Sequence, residues 1–198
     1  SVWPIFAYAC RGSKLKFIPQ SIPDILLLKP AIHDDDRGYF VETFRQDIFE
    51  CAVGYKVHFV QDNESKSTKG VLRGLHYQLP PYSQAKLVRV VTGSVLDVAV
   101  DIRKSSPTFG CHVSVELTGD NKHQLFVPHG FAHGFVVLSD SATFAYKVDN
   151  YYASEYDRGL IYNDDVLKIN WQISAEELSL SEKDNSHPSI VNAKDLFN

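Results

Sequence analysis

The chain of 198 residues lacks several features that mark common classes of protein. It has no apolar run approaching the ~20 residues that a membrane-spanning helix needs. Its cysteines, Cys10, Cys51 and Cys111, are few, far apart and outside any C-x-x-C pattern. That usage argues against a disulfide framework or a zinc site and favours a reducing compartment. A net charge of −4 leaves no basic excess for nucleic acid. We therefore expect a cytoplasmic protein with neither a membrane nor a nucleic acid as partner.

Length and composition predict one globular domain. Hydrophobic residues at 44% and charged residues at 22% are ordinary globular values, and no linker, repeat or low-complexity stretch divides the chain. The opening segment (residues 1–10) is apolar and aromatic, but Pro4 interrupts it and no basic region precedes it. A signal-peptide remnant and a vector-derived extension are both open, and we favour an extension or a loosely ordered arm. The expected division is an N-terminal arm over residues 1–20 and a single domain over residues 21–198.

Most apolar segments alternate with a period of two, which predicts half-buried strands. The clearest case is residues 94–103, where four aliphatic side chains fall on one face and charged side chains, including Asp97 and Asp101, on the other. Further strands are predicted at residues 25–28, 38–44, 57–61, 71–77, 87–92, 112–117, 124–127, 134–138 and 143–148. Helical patterns are limited to residues 45–52 and 174–178, the second with a Ser174…Glu177 capping box. Many short strands and few helices predict a mainly β fold, a sandwich or barrel such as a jelly roll.

One segment of this pattern carries unusual chemistry. Residues 70–78 (GVLRGLHYQ) contain Arg73 and His76, and Lys86 follows downstream. Removal of a proton next to a carbonyl needs a base, a cation that stabilises the enolate and a group that holds the substrate's anionic part. Imidazole, ammonium and guanidinium supply these three functions. The alternative interpretation is an ordinary strand with one core histidine and two solvated charges.

Strand alternation raises a conflict within this segment. Strict alternation places Arg73 on the face opposite His76, although both should reach one pocket. Gly74 lies between them, which suggests a β-bulge that re-aims one of the two side chains. We therefore predict an irregularity at Gly74.

A second histidine-containing segment invites a metal interpretation. Residues 128–135 (PHGFAHGF) contain His129 and His133, but glycines there serve tight turning equally well. A cupin metal site needs a His-x-His pair with a following carboxylate, and the sequence contains no His-x-His pair. Further ligands for His129 and His133 cannot be identified. We predict no metal.

Several motifs in a fixed order resemble one family. They are DRGYFVETF, FVQDNESKS, GVLRGLHYQ, AKLVRVVTGSVLDVAVDIRKSSPTFG, HGFAHGFVVLSD, YKVDNYY and LSEKD. Together they resemble the dTDP-4-dehydrorhamnose 3,5-epimerases of nucleotide-sugar metabolism, over about residues 22–188. The resemblance implies a cupin-type jelly roll without metal or cofactor, and usually a homodimer whose N-terminal strands pair across subunits.

The resemblance also implies catalytic roles for four residues. His76 is the expected general base that removes protons from the carbons flanking the C4 ketone. Asp184, in the LSEKD motif, is the expected carboxylate that orients this imidazole. Lys86 is expected beside the C4 oxygen, where the enolate charge develops. Tyr146 is the expected acid on the opposite face of the sugar, and inversion requires such a second group.

Substrate-binding residues follow from the same resemblance. Arg73 and Arg37 are expected to contact the diphosphate, Arg37 from across the dimer, and His133 is expected in the pocket wall. The residues expected to hold the nucleotide are Glu42, Gln61, Asn63 and Tyr152. The chain departs from the family where it has His33 in place of an aromatic near the thymine and His129 in place of a glutamate.

The resemblance leads to one main hypothesis and three alternatives. The main hypothesis is a cofactor-independent isomerase that inverts C3 and C5 of dTDP-4-dehydro-6-deoxy-D-glucose, giving dTDP-4-dehydro-L-rhamnose for dTDP-rhamnose biosynthesis. A 3-epimerase that makes another dTDP-deoxysugar is the alternative within the class. A metal-dependent cupin oxygenase is disfavoured by the missing His-x-His pair. A non-catalytic sugar-nucleotide binding module is disfavoured because both the base and the acid are present.

Overall fold

The computed structural model of the protein describes residues 14–198, and strands dominate this part of the chain. Two short α-helices, α1 (Gln46–Val53) and α2 (Glu182–Asn185), and two 3₁₀ turns (Ser154–Tyr156 and Ala175–Glu177) accompany them. The strands are β1 (Lys16–Pro19), β2 (Leu26–Lys29), β3 (Ile32–Asp35), β4 (Gly38–Val41), β5 (Gln61–Thr68), β6 (Leu72–Gln78), β7 (Lys86–Thr92), β8 (Ser94–Asp101), β9 (His112–Thr118), β10 (Gln124–Val127), β11 (Phe131–Val137), β12 (Ser141–Val148) and β13 (Asp157–Gly159). Among the described residues no helix has the length and apolar character to cross a membrane.

The strands form two facing antiparallel sheets and a separate hairpin. The six-stranded sheet has the order β1-β2-β10-β7-β12-β5, and the five-stranded sheet has the order β13-β6-β11-β8-β9. The hairpin β3–β4 pairs only with itself within the described chain. The mainly β, cupin-type jelly-roll architecture predicted from the sequence is confirmed.

Three apolar layers hold this sandwich together. The inner layer lies between the two sheets and includes Val88 from β7 and Val95 from β8. A second layer lies on the outer side of the five-stranded sheet, where the C-terminal segment contributes Leu167, Trp171 and Ile190. A third joins α1 to the outer side of the six-stranded sheet. Full burial of such side chains contributes about 1.5–3 kcal/mol each, so the C-terminal segment is an integral part of the fold.

The C-terminal segment also explains one error in the sequence prediction. Strand β8 was expected to be half-buried, yet Asp97 and Asp101 are 0% exposed and so are several of its aliphatic side chains. The aliphatic face packs under the C-terminal segment, and the acidic face points towards the other sheet. Both carboxylates have partners there, since His133 Nε2 donates to Asp97 at 2.9 Å and Arg103 Nε donates to Asp101 at 2.9 Å.

The other differences concern short or polar elements. Helix α1 and most strands agree with the prediction within a few residues, but a strand over residues 57–61 is wrong because β5 begins at Gln61. The helix predicted at residues 174–178 is a single 3₁₀ turn, although the Ser174 hydroxyl does contact Glu177 at 3.1 Å. The elements β1, β3, β13 and α2 were not predicted. They span only three or four residues each, which is too short for a periodic pattern.

The N-terminal region is only partly described. The predicted arm over residues 1–20 falls largely on residues 1–13, outside the described chain. Residues 16–19 form β1 at the edge of the six-stranded sheet, so the division at residue 20 stays a prediction. The cysteine usage argued against a disulfide framework, yet Cys51 is disulfide-bonded, whereas Cys111 is free and exposed.

The predicted irregularity at Gly74 is confirmed. Strand β6 pairs with β11 so that His76 lies opposite His133 and Arg73 lies opposite Phe135, which leaves two residues of β6 facing one of β11. This is the count that defines a β-bulge. The extra residue allows Arg73 and His76 to line the same pocket.

Gly74 permits the bulge because it carries no side chain. Its φ is +127°, and a Cβ there would lie 2.5 Å from the Cα of Gly134 on β11. We predict that Gly74→Ala lowers the free energy of unfolding by about 2 kcal/mol or more. The matched control is Gly54→Ala, since Gly54 also has positive φ (+83°) but has open space around it. It should cost about 1 kcal/mol. Urea denaturation measures both, and equal losses would contradict the steric argument.

Candidate active site

A pocket of about 660 Å³ opens between the two sheets, beside part of the C-terminal segment. Strands from both sheets and residues 179–184 of that segment form its wall. Polar and charged side chains dominate the lining, which includes Asn63, Glu64, Ser65, Arg73, His76, Lys86, His133, Tyr146, Ser181, Lys183 and Asp184. Seven of these are site residues predicted from the sequence: Asn63, Arg73, His76, Lys86, His133, Tyr146 and Asp184.

His76 and Asp184, which both line this pocket, are in direct side-chain contact. The Nε2 atom of His76 lies 2.6 Å from Oδ1 of Asp184, although the two residues are 108 positions apart. The backbone of α2 fixes the carboxylate, because the N–H of Asp184 donates to the Ser181 hydroxyl at 3.1 Å as an N-cap. A neutral imidazole that donates from Nε2 keeps its lone pair on Nδ1. The contact therefore leaves His76 with a nitrogen that can accept a proton.

The Asp184 carboxylate stays ionised in this position. Its side chain is buried, and burial alone would raise its pKa. The imidazoles of His187 and His76, together with Ser181, outweigh burial and hold the pKa of Asp184 well below its usual range. A fixed negative charge next to His76 stabilises the imidazolium that forms when the ring takes up a proton.

Lys86 begins β7 and supplies the ammonium of the pocket. The preceding residue is tied down, since the N–H of Ala85 donates to Asp149 at 2.7 Å. Burial lowers the pKa of Lys86 to about 8, against the opposing influence of the Asp157 and Asp97 charges. The side chain is thus still mostly cationic at neutral pH, and it lies where water does not screen its charge fully.

Tyr146 supplies a phenol from β12, in the opposite sheet to His76. It pairs with Asn63 on β5 and Val88 on β7. Burial raises the pKa of Tyr146, an effect that Asp157 reinforces and that Arg73 and Asn63 oppose. The hydroxyl therefore remains protonated at neutral pH and can act as a proton donor.

Arg73 and His133 occupy the wall beyond the bulge. The guanidinium of Arg73 is exposed, and its Nε donates to the Ser67 hydroxyl at 3.1 Å. No ion pair holds Arg73 among the described residues, so its charge is available to an anionic ligand. His133 is buried, and its Nε2 lies 2.9 Å from both carboxylate oxygens of Asp97.

Two other predicted residues lie beside the pocket. The side-chain amide of Gln61 donates to Asn63 at 2.9 Å, and its oxygen accepts from the backbone N–H of Tyr152 at 3.3 Å. The Tyr152 hydroxyl donates to Asp157 at 3.2 Å, and Tyr152 lines a small cavity with His76, Lys86 and Tyr146. Gln61 and Tyr152 thus continue the pocket wall.

Arg37 and Glu42 lie apart from this group. Arg37 sits in the turn of the β3–β4 hairpin, is exposed, and pairs with Asp35 two residues away. Glu42 is also exposed, directly after β4. Neither residue lines the pocket of the chain that contains it.

Four residues in or beside the pocket were not predicted as site residues from the sequence, namely Ser181, Lys183, Asp97 and His187. Ser181 and Asp184 form a Ser-x-x-Asp pattern, which is a capping signal that could have located α2. Lys183 forms an ion pair with Asp157 beside the pocket. Asp97 was assigned to an exposed face, and only the three-dimensional packing pairs it with His133. His187, whose Nε2 lies 3.6 Å from the Asp184 carboxylate, carried no signal of its own.

Comparison with known proteins shows that the sequence of this chain matches one family. The family model described as dTDP-4-dehydrorhamnose 3,5-epimerase matches residues 19–192. A dTDP-4-dehydrorhamnose 3,5-epimerase of Shigella flexneri is 55% identical over 179 residues, which is 90% of this chain and 98% of the relative.

Solved structures agree with the family model. The dTDP-6-deoxy-D-glucose-3,5-epimerase RmlC of Legionella pneumophila, in complex with dTDP-4-keto-L-rhamnose, has a TM-score of 0.88 at 46% identity and covers 91% of this chain and 95% of its own. ChmJ, a 3'-monoepimerase of Streptomyces bikiniensis in complex with dTDP-quinovose, has a TM-score of 0.84 at 35% identity, with 89% and 88% covered. The chain belongs to the dTDP-4-dehydrorhamnose 3,5-epimerase family.

Proposed function

We propose that this protein is an epimerase that inverts C3 and C5 of dTDP-4-dehydro-6-deoxy-D-glucose and so produces dTDP-4-dehydro-L-rhamnose. The observation that carries the proposal is the placement of the His76–Asp184 pair and the protonated Tyr146 phenol on different sheets around one pocket. Inversion needs a base on one side of the sugar and an acid on the other. The membership in the epimerase family supports the same conclusion.

Proton removal is the first step of the proposed mechanism. The Nδ1 lone pair of His76 takes the proton from a carbon next to the C4 ketone, and the C–H electron pair moves to form the enolate. Asp184, held at 2.6 Å, stabilises the imidazolium and keeps the ring in orientation. No cofactor is required for this step, because the ketone itself accepts the electron pair.

Lys86 stabilises the negative charge that develops on the C4 oxygen. An ammonium in a partly dehydrated pocket interacts more strongly with an oxyanion than it would in water. Tyr146 then gives its proton to the opposite face of the carbanionic carbon. The His76 imidazolium then releases its proton to solvent and the Tyr146 phenolate takes one up, and the same cycle at the second carbon completes the reaction.

The remaining predicted residues bind the substrate in this proposal. Arg73 offers the diphosphate a guanidinium that no carboxylate pairs among the described residues, and Asn63, Gln61 and Tyr152 form a hydrogen-bonded wall suited to the nucleotide. His133, fixed by Asp97, shapes the floor of the pocket. Solved relatives carry dTDP-sugars, which supports a substrate of this class.

A homodimer would complete the site. Within the described residues the β3–β4 hairpin is not joined to either sheet of its own chain, and it exposes Tyr39 and Phe40, the latter 69% exposed. An isolated two-stranded hairpin with exposed aromatic side chains is typical of an element that packs on a partner. We propose that Arg37 and Glu42, which flank these aromatics, reach the pocket of the second subunit.

Two further points stay predictions. A 3-epimerase is the alternative activity, because the same base and acid can serve one carbon only, and the 3'-monoepimerase ChmJ has a closely similar fold. The cytoplasmic location also remains a prediction. The disulfide at Cys51 weakens the cysteine argument on which it was based.

Deuterium incorporation tests the proposed activity and its alternative. In D2O the wild-type protein should place deuterium at both C3 and C5 of dTDP-4-dehydro-6-deoxy-D-glucose, as read by NMR of the product. Deuterium at C3 alone would establish the 3-epimerase instead. The control is His76→Asn, which removes the base and should show no exchange above background. Normal exchange by that variant would rule out His76 as the base.

The Tyr146 phenol should be needed for inversion rather than for proton removal. In Tyr146→Phe, His76, Asp184 and Lys86 are unchanged, so the enolate still forms. Reprotonation should then occur mainly from the His76 side, which restores the starting configuration. We predict that this variant takes up deuterium several-fold faster than it accumulates epimerised product. Phe retains the ring's packing. Inversion of both carbons at the wild-type rate would show that Tyr146 is not the acid.

The charge of Lys86 should set an alkaline limit on activity. Its pKa is lowered to about 8, so the ammonium is present below that pH and is lost above it. We predict that kcat falls as the pH rises through about 8. The Lys86→Arg variant keeps a cation up to pH values above about 12. Its kcat should be reduced by the altered geometry, but it should not change between pH 7 and about 10. The same fall in both proteins would exclude Lys86 as the titrating group.

A further inference from the structure

A second histidine shares the carboxylate that holds His76. The Nε2 atom of His187 lies 3.6 Å from Oδ1 of Asp184, and the two imidazole rings meet edge to face at 78° with centroids 5.8 Å apart. The His187 side chain is only 10% exposed. Its Nε2 is buried and, among the described residues, has no hydrogen-bond partner, since the Asp184 carboxylate lies just outside hydrogen-bond distance. An unpartnered nitrogen in such a position is costly, which indicates that it serves a ligand.

The backbone fixes His187 in this place. Its ring packs on Gly159 so closely that a Cβ on that residue would lie 2.4 Å from Nε2. Gly159 pairs directly with His76 across β13 and β6. The absence of a side chain at Gly159 therefore makes the room that brings the second imidazole beside the first. His76, Asp184 and His187 offer ligand atoms that all lie within 4.8 Å of one another.

We propose that these three residues form an inhibitory binding site for Zn²⁺. Two imidazoles and one carboxylate are a donor set that zinc accepts, with water in the fourth position. Bonds of about 2.0–2.1 Å in tetrahedral geometry separate ligand atoms by about 3.3 Å. The His187–Asp184 distance of 3.6 Å is close to that value. The His76–Asp184 distance of 2.6 Å must open by about 0.7 Å as the metal replaces the hydrogen bond.

Zinc would inhibit the enzyme because it changes which nitrogen of the His76 ring carries the proton. This step rests on the proposed role of His76 as the base. In the metal-free protein the ring carries its proton on Nε2 and its lone pair on Nδ1. A zinc ion on Nε2 uses the lone pair of that nitrogen, so the one proton of the neutral ring moves to Nδ1. The ring keeps the same number of protons, but Nδ1 no longer accepts one from the substrate. The Asp184 carboxylate, now a ligand, no longer stabilises an imidazolium.

Binding is tested with Co²⁺, because its visible absorption reports a tetrahedral site. The full chain is used without nucleotide, because a diphosphate also binds metal ions. Wild type should bind one equivalent with a tetrahedral spectrum, and Zn²⁺ should displace it. His187→Gln and His187→Asn should each weaken binding by about tenfold or more. The matched control is His129→Gln, which removes an exposed histidine paired with Asp149 and should bind as wild type does.

Inhibition is then measured by adding Zn²⁺ to each protein and comparing its rate with the metal-free rate of the same protein. The half-inhibitory concentration should rise about tenfold or more in both His187 variants and stay unchanged in His129→Gln. Three results would overturn the proposal. They are equal inhibition of wild type and the His187 variants, loss of inhibition in His129→Gln, and the absence of a tetrahedral cobalt spectrum. The optical result is independent of turnover. If the metal-free wild-type protein showed no deuterium exchange, the proposed function would be contradicted, but the proposal of a zinc-binding site would be unaffected.

Discussion

The pocket depends on the close backbone contact between β6 and β11. Gly74 and Gly134 face each other there, and a Cβ on either residue would overlap the opposite strand, at 2.5 Å for Gly74 and 2.7 Å for Gly134. This contact accommodates the bulge, and the bulge turns Arg73 and His76 to the same side of the strand. The apolar side chains of β6 remain in the outer apolar layer, namely Leu72, Leu75 and Tyr77. A regular strand of this sequence would bury one of the two functional side chains against the C-terminal segment.

Packing of the C-terminal segment supplies the second half of the arrangement. Leu167, Trp171 and Ile190 anchor the segment on the five-stranded sheet, and α2 carries Asp184 to His76. Burial shifts the pKa of Lys86 down and that of Tyr146 up. After these shifts Lys86 is still mostly a cation at neutral pH and Tyr146 is still a proton donor, as enolate chemistry requires.

The sequence predicted the parts of this structure that repeat regularly. Alternating strands such as β8 and β12 were found because one face of each strand is apolar, and the bulge was found because Arg73 and His76 violate alternation around a glycine. Strand β5 was largely missed, since it lines a polar pocket and carries polar side chains on both faces. The burial of Asp97 depends on the facing sheet and the position of His187 on the C-terminal segment, and no local pattern describes either. Asp184 was identified by resemblance alone, because a contact over 108 positions leaves no periodic signal.

The central claim is that the sugar lies between an imidazole and a phenol, with an ammonium at its ketone. A crystal structure of the protein with a bound dTDP-4-dehydro sugar tests it most directly. The account predicts that His76 Nδ1 and the Tyr146 hydroxyl approach the ring from opposite faces, with the Lys86 ammonium within hydrogen-bond distance of the C4 oxygen. A sugar ring that has both side chains on one face, or a C4 oxygen remote from Lys86, would contradict the account.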